Sequence, residues 1–157
     1  MKKTTLKLYS ISLLLFYMLT ACKDEPVCCV NIDTQIGLHY MNREGKNLLD
    51  FAEHYQKEDI KVYYKKGDEF EYVYNGNLDA PNMHHVYYTP DSALILAVYA
   101  SDYYEGETST TLISFNETVF DTLYCEFDIQ DNGVSIKKAW LNGVAIEEQF
   151  MEIIREE

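Results

Sequence analysis

Proline and glycine are scarce in this chain, at three and seven of 157 residues, and basic residues number 13 against 26 acidic ones. So few turn-forming and flexible positions exclude collagen-like and low-complexity linker sequences. The charge balance excludes a surface built for nucleic acid or anionic lipid heads, which a strongly acidic domain repels. Cys-x-x-Cys is missing, so neither a zinc ribbon nor thioredoxin-like redox chemistry is supported. His-Glu-x-x-His, Gly-x-Ser-x-Gly and the phosphate-cradling P-loop are missing as well. No apolar run approaches the ~20 residues that a membrane-spanning helix needs. Helical spacing of apolar residues occurs only over Leu48, Leu49, Ala52 and Tyr55, enough for a short helix or turn.

What is present starts with an address. Lys2, Lys3 and Lys7 precede the run Leu13 to Leu19, extended back to Ile11 across Ser12. This is the basic n-region and short apolar h-region of a secretory signal. The run stops at Leu19-Thr20-Ala21-Cys22, which resembles the lipobox of bacterial lipoprotein signal peptides. That resemblance implies lipidation of Cys22 as the first residue of the mature protein. Lys23-Asp24-Glu25 resembles the signal that sends Bacteroidetes lipoproteins to the outer face of the outer membrane. The resemblance therefore implies a lipid-anchored protein of the bacterial outer membrane, exposed at the cell surface. The expected organisation is a signal peptide at 1–21, an acylated tether at 22–27 and a single domain at 28–157. The tether reaches only ~20 Å when fully extended.

Without residues 1–21 the chain has 136 residues, one domain's worth, with ten basic and 26 acidic residues and a charge of −16. At 47% hydrophobic and 14% aromatic, it has the means to build a core rather than stay disordered. With Cys22 committed to lipid, Cys28, Cys29 and Cys125 remain, an odd number for an oxidising compartment.

Along the chain, strand signals dominate. Cys28, Val30, Ile32, Thr34, Ile36, Leu38 and Tyr40 alternate with Asn31, Asp33, Gln35 and His39, which predicts one long half-buried strand. Glu58 to Lys65 predicts another, turning at Lys66-Gly67-Asp68 into Phe70, Tyr72 and Tyr74. Val86 to Thr89 is a short extended piece, and the almost wholly apolar Ala93 to Ala100 predicts a central strand covered on both faces. Asp102 to Thr108 reads as an exposed loop, and Thr111 to Phe115 as a strand. Asp131-Asn132-Gly133 and Asn142-Gly143 signal type I′ hairpins, leaving 119–130, 134–141 and 144–154 as an antiparallel three-strand meander. Many short strands without a long helix predict an all-β fold, an antiparallel β-sandwich of immunoglobulin-like or transthyretin-like outline, with a lipocalin-like barrel as the alternative.

Gly45-Lys46-Asn47-Leu48-Leu49-Asp50, Asp59-Ile60-Lys61-Val62-Tyr63-Tyr64 and Trp140-Leu141-Asn142-Gly143 resemble a pattern in small Bacteroidetes outer-membrane lipoproteins of uncharacterised function. The resemblance implies architecture and location and carries no catalytic residue. Asp91-Ser92-Ala93 and Asp121-Thr122-Leu123 resemble the Bacteroidetes O-glycosylation tripeptide.

Site candidates are few. His84 and His85 are neighbours, so in a strand at most one can join His39 or His54 in a cluster, and no metal or cofactor is expected. Asp128, Asp131 and Asn132 lack the alternating acids and later bidentate Glu of a calcium loop. A disulfide between Cys28 and Cys125 is expected, because Cys28 shares a face with Val30 and Ile32, and Cys125 with Leu123 and Phe127. The tyrosines are the remaining signal. Exposed rings gain stacking energy at small entropic cost, which makes Tyr63, Tyr87 and Tyr103 the candidate binding surface for a glycan or an envelope protein. The expected function is a non-enzymatic binding or accessory module, with a structural component of an envelope complex as the alternative.

Overall fold

The computed structural model describes residues 31–49, 55–147 and 150–155. The expected signal at 1–21, the tether at 22–27, Cys28, Cys29 and His54 lie outside the described residues. Among the described residues, alternation of apolar and polar residues resolves into eleven strands: β1 (Asn31–Asp33), β2 (Gln35–Asn42), β3 (Lys61–Lys66), β4 (Glu69–Tyr72), β5 (His84–Tyr88), β6 (Leu94–Tyr99), β7 (Thr108–Ser114), β8 (Phe120–Gln130), β9 (Gly133–Leu141), β10 (Val144–Ile146) and β11 (Phe150–Arg155). The helical content of the described residues is one 3-10 turn at Lys57–Asp59.

Hydrogen bonding sorts the strands into two open sheets. The larger runs β1-β9-β8-β7-β3-β4, with β10 also on β9, and the smaller runs β11-β2-β6-β5. Neither closes, so the barrel alternative is not adopted. Each strand turns alternate residues inward, and the two inner faces share one core. Leu38, Tyr40 and Leu96 enter it from the smaller sheet, and Val62, Leu123 and Phe127 from the larger. Burying each such side chain contributes ~1.5–3 kcal/mol, which is what holds the layers together. β6 is the interior strand expected from its apolar run, buried on both faces from Leu94 to Val98.

Two expected strands are each divided, and both divisions hand the chain from the larger sheet to the smaller. The run 28–40 breaks at Thr34, between β1 on β9 and β2 in the other sheet. Thr34 keeps its carbonyl satisfied there, accepting from the Ala100 amide at 2.9 Å. Ile32, expected inside, is 66% exposed. The run 144–154 divides around Glu147, where β10 ends the meander and β11 crosses to pair with β2. Both transfers create parallel pairs, β1 with β9 and β11 with β2, so the sheets are mixed rather than purely antiparallel.

Two glycines expected to play the same part play different ones. Asn142 and Gly143 have φ of +51° and +81°, as a type I′ turn requires. Gly133 instead opens β9 beneath β1. A Cβ there would lie 2.7 Å from the Asn31 carbonyl oxygen, so glycine is needed for close backbone approach.

Of the expected Cys28–Cys125 pair, only Cys125 lies within the described residues, on the inward face of β8. Cys125 is a free thiol, 1% exposed, and its burial pushes its pKa up to about 12.

Candidate functional site

Register places the outward side chains of the larger sheet in rows that cross the strands. One row runs Ala145, Trp140, Tyr124 and Thr110, continuing toward Lys65 and Phe70, which pair with each other. The next runs Thr122, Leu112, Tyr63 and Tyr72. A third runs Phe120, Ser114 and Lys61. Six aromatic side chains thus share one face, because each sits at an alternate position opposite a core residue. Phe120, Thr122 and Tyr124 point outward while Asp121, Leu123 and Cys125 point inward.

The rings remain open to solvent. Tyr72 is 49% exposed and Tyr124 40% exposed, and Phe70 and Phe120 are exposed as well. Tyr63 and Trp140 are half-buried against their neighbours. The Tyr124 and Trp140 centroids lie 5.6 Å apart, and those of Tyr63 and Tyr72 5.7 Å apart, ordinary spacings for tilted aromatic pairs. Where Tyr63 meets Phe120, a groove of about 360 Å³ opens, lined also by Asp59, Lys61, Asn116 and Glu117.

These three rows contain no acidic strand residue, although the chain as a whole carries 26 acids. The adjoining Glu126 is held by Lys137 at 2.7 Å and Lys138 at 3.9 Å. The Lys137 hydrogen bond lowers the Glu126 pKa below the usual glutamate value, so the carboxylate stays charged and paired.

The three tyrosines singled out in the sequence do not come together. Tyr63 lies in the rows just described. Tyr87 lies on the outer face of the opposite sheet, with its ring 5.7 Å from His85, itself 5.9 Å from Tyr99. Tyr103 sits in the loop after β6, 6.3 Å from the Tyr64 ring, with the Lys66 ammonium 4.0 Å over its own ring. Trp140, Tyr124, Tyr72, Phe70 and Phe120 complete the cluster instead. The usable signal was the alternation of Phe120, Thr122 and Tyr124, together with the pairing that sets Trp140 opposite Tyr124.

Histidine follows the alternation rule. His84 faces inward and is buried, while His85 faces outward. Among the described residues no group of three or more His, Cys, Asp or Glu side chains is arranged to hold a metal ion.

A second polar cluster lies between the sheets. Asp121 of β8 is 3% exposed and accepts from the Tyr40 hydroxyl at 2.6 Å and from Asn142 Nδ2 at 2.7 Å. Arg155 of β11 donates to the same carboxylate and, through Nη1, to the Tyr55 hydroxyl at 3.0 Å. Its guanidinium lies 4.6 Å from the Phe115 centroid and 4.9 Å from that of Tyr40. Burial works against the Arg155 charge, yet Asp121 and the phenol oxygens of Tyr55 and Tyr40 outweigh it and hold its pKa above the ordinary arginine value. Burial, then Asp121, pushes the Tyr40 phenol well above its ordinary value. Asp121 accepts from three donors drawn from β2, β11 and the turn after β9, so the cluster joins the sheets. No family model, curated protein or solved structure matches this chain.

Proposed function

We propose that the mature protein is a lipid-anchored, non-enzymatic module of the bacterial outer-membrane surface that binds a glycan on the outer face of its larger sheet. The carrying observation is the gathering of Phe70, Tyr72, Tyr63, Phe120, Tyr124 and Trp140 on one acid-poor face. Sugar rings present flat C–H faces to aromatic rings and hydroxyls to polar neighbours. Thr110, Thr122, Lys61 and the groove residues Asp59 and Asn116 supply such neighbours. The lipobox-like Leu19-Thr20-Ala21-Cys22 supports the anchor, and the expected short tether would hold the domain close to the membrane.

Membrane fractionation tests the anchor: Cys22→Ser should move the protein from the membrane to the soluble fraction. Recovery of the variant in the membrane as before would remove lipidation from the account. A glycan array tests the ligand class, with the Tyr63→Ala/Tyr124→Ala double variant expected to lose the signals that the wild type gives. A specific observation also favours assembly through a sheet edge. β5, at the edge of the smaller sheet, reads His-His-Val-Tyr-Tyr and carries none of the Lys, Glu or Asp side chains that commonly discourage edge pairing.

A further inference from the structure

The rings of the binding face form two pairs with a gap between them. Trp140 and Tyr124 lie over β9 and β8, and Tyr63 and Tyr72 over β3 and β4. From pair to pair is three strand spacings and a two-residue step along the strands, roughly 16 Å. The floor between is formed by half-buried Thr110, Thr122 and Leu112, which raise no ring. One sugar unit can stack on either pair and cannot reach the other. The line ends in Ala145 on the β10 side, a side chain too small to wall it off. On the other side, Tyr63 leads to the groove beside Phe120.

Charge narrows the ligand further. The three rows carry Lys61 and Lys65 and no acid; Lys65 faces Glu105 at 3.5 Å, Lys137 and Lys138 beside the rows hold Glu126, and Asp59 and Glu117 line the groove. The face is therefore near balance on a domain whose expected mature charge is −16. The surrounding field repels a polyanion and is indifferent to a neutral chain.

Resting on the glycan reading above, we propose that the ligand is an internal stretch of an extended, uncharged polysaccharide that crosses the strands from the Trp140–Tyr124 pair to the Tyr63–Tyr72 pair. Contact with both pairs makes affinity depend on chain length. It also makes the two pairs contribute together, although no side chain of one touches the other.

Isothermal titration of the full-length protein in a detergent without a sugar headgroup tests this. The probes are cellohexaose, xylohexaose and mannohexaose, their disaccharides, and a galacturonate hexamer. At least one neutral hexasaccharide should bind about tenfold or more tightly than its disaccharide, since a second stacked pair adds on the order of one tenfold step. Tyr124→Ala and Tyr72→Ala should each lower the hexasaccharide affinity about tenfold, a step of ~1.4 kcal/mol. Tyr88→Ala, at a side chain 73% exposed in the other sheet, should leave it unchanged, as should added salt. Near-ultraviolet circular dichroism of each variant separates lost contact from lost fold. Equal affinity for disaccharide and hexasaccharide, sensitivity to only one pair, or preference for the galacturonate hexamer overturns the spanning neutral chain and leaves a glycan-binding face. Failure of every oligosaccharide to bind the wild type removes the glycan reading itself.

Discussion

Tyr40, Tyr55 and Phe115 close around Arg155 between the sheets, whereas Tyr63, Tyr72, Tyr124 and Trp140 spread over an outer face. The two clusters use the same residue types and differ in whether their groups are already satisfied. In the first, Asp121 accepts from Tyr40, Asn142 and Arg155, and Arg155 also reaches Tyr55. These groups spend their hydrogen bonds on one another, and their contribution is to join β8, β2 and β11. In the second, the rings rest on one another and keep open faces, so further stacking remains available. Proximity of aromatic and polar groups is therefore a poor marker of a binding site unless solvent reaches it.

The comparison breaks most sharply at Asp121. Asp121→Ala leaves the largely buried Arg155 guanidinium without its carboxylate and strands the Tyr40 hydroxyl and the Asn142 amide, a loss of about 3 kcal/mol. Tyr124→Ala, on the open cluster, should cost no more than about 1 kcal/mol, the size of a cross-strand pair. Chemical denaturation of both variants measures the difference. A stability of Asp121→Ala within about 1 kcal/mol of wild type would mean that the buried cluster does not hold the layers.

Alkaline pH should act next, on the buried side of the comparison. Tyr40, Tyr64 and Cys125 each have their pKa raised, in every case first by burial. The unfolded chain loses these protons first, Cys125 from about its ordinary 9.0 while the folded thiol holds to about 12. Above that lower value the unfolded state binds fewer protons than the folded one, so stability falls as pH rises. Below it these groups contribute no pH dependence. Urea midpoints across pH 8 to 11 should fall progressively toward the alkaline end. A flat profile would show that these groups are not desolvated.

The smallest effect sharpens the contrast within one dipeptide. Tyr64 faces the core and donates to the Tyr99 carbonyl at 3.1 Å, while Tyr63 faces outward. Tyr64→Phe should lose about 1 kcal/mol, the net worth of one hydrogen bond, and Tyr63→Phe close to none. Equal losses from the two would contradict the alternation that turns Tyr63 to the outer face.

Much of this architecture was legible in advance. The β8–β9–β10 meander, the apolar β6, the Asn142-Gly143 turn and the opposite orientations of His84 and His85 all follow from local alternation or local φ requirements. The divided strands were not legible, because residues on either side of Thr34 alternate without interruption and alternation does not say which sheet a strand joins. Ile32 shows the consequence: an apolar residue in phase with Ile36 and Leu38 that ends on an exposed edge strand. Tyr63 lies on the six-ring outer face, while Tyr87 and Tyr103 lie elsewhere.

The residues by themselves determined the all-β class, which side of most strands faces inward, and the lipobox-like motif that suggests an anchor. Each of these depends on neighbours a few positions apart, where covalent geometry sets the side-chain directions. The assembly of the six-ring face, the pairing of Arg155 with Asp121 and the two parallel crossings were decided only in the tertiary structure. Tyr63 and Trp140, or Asp121 and Arg155, are far apart in sequence, and strand order and register determine whether they meet.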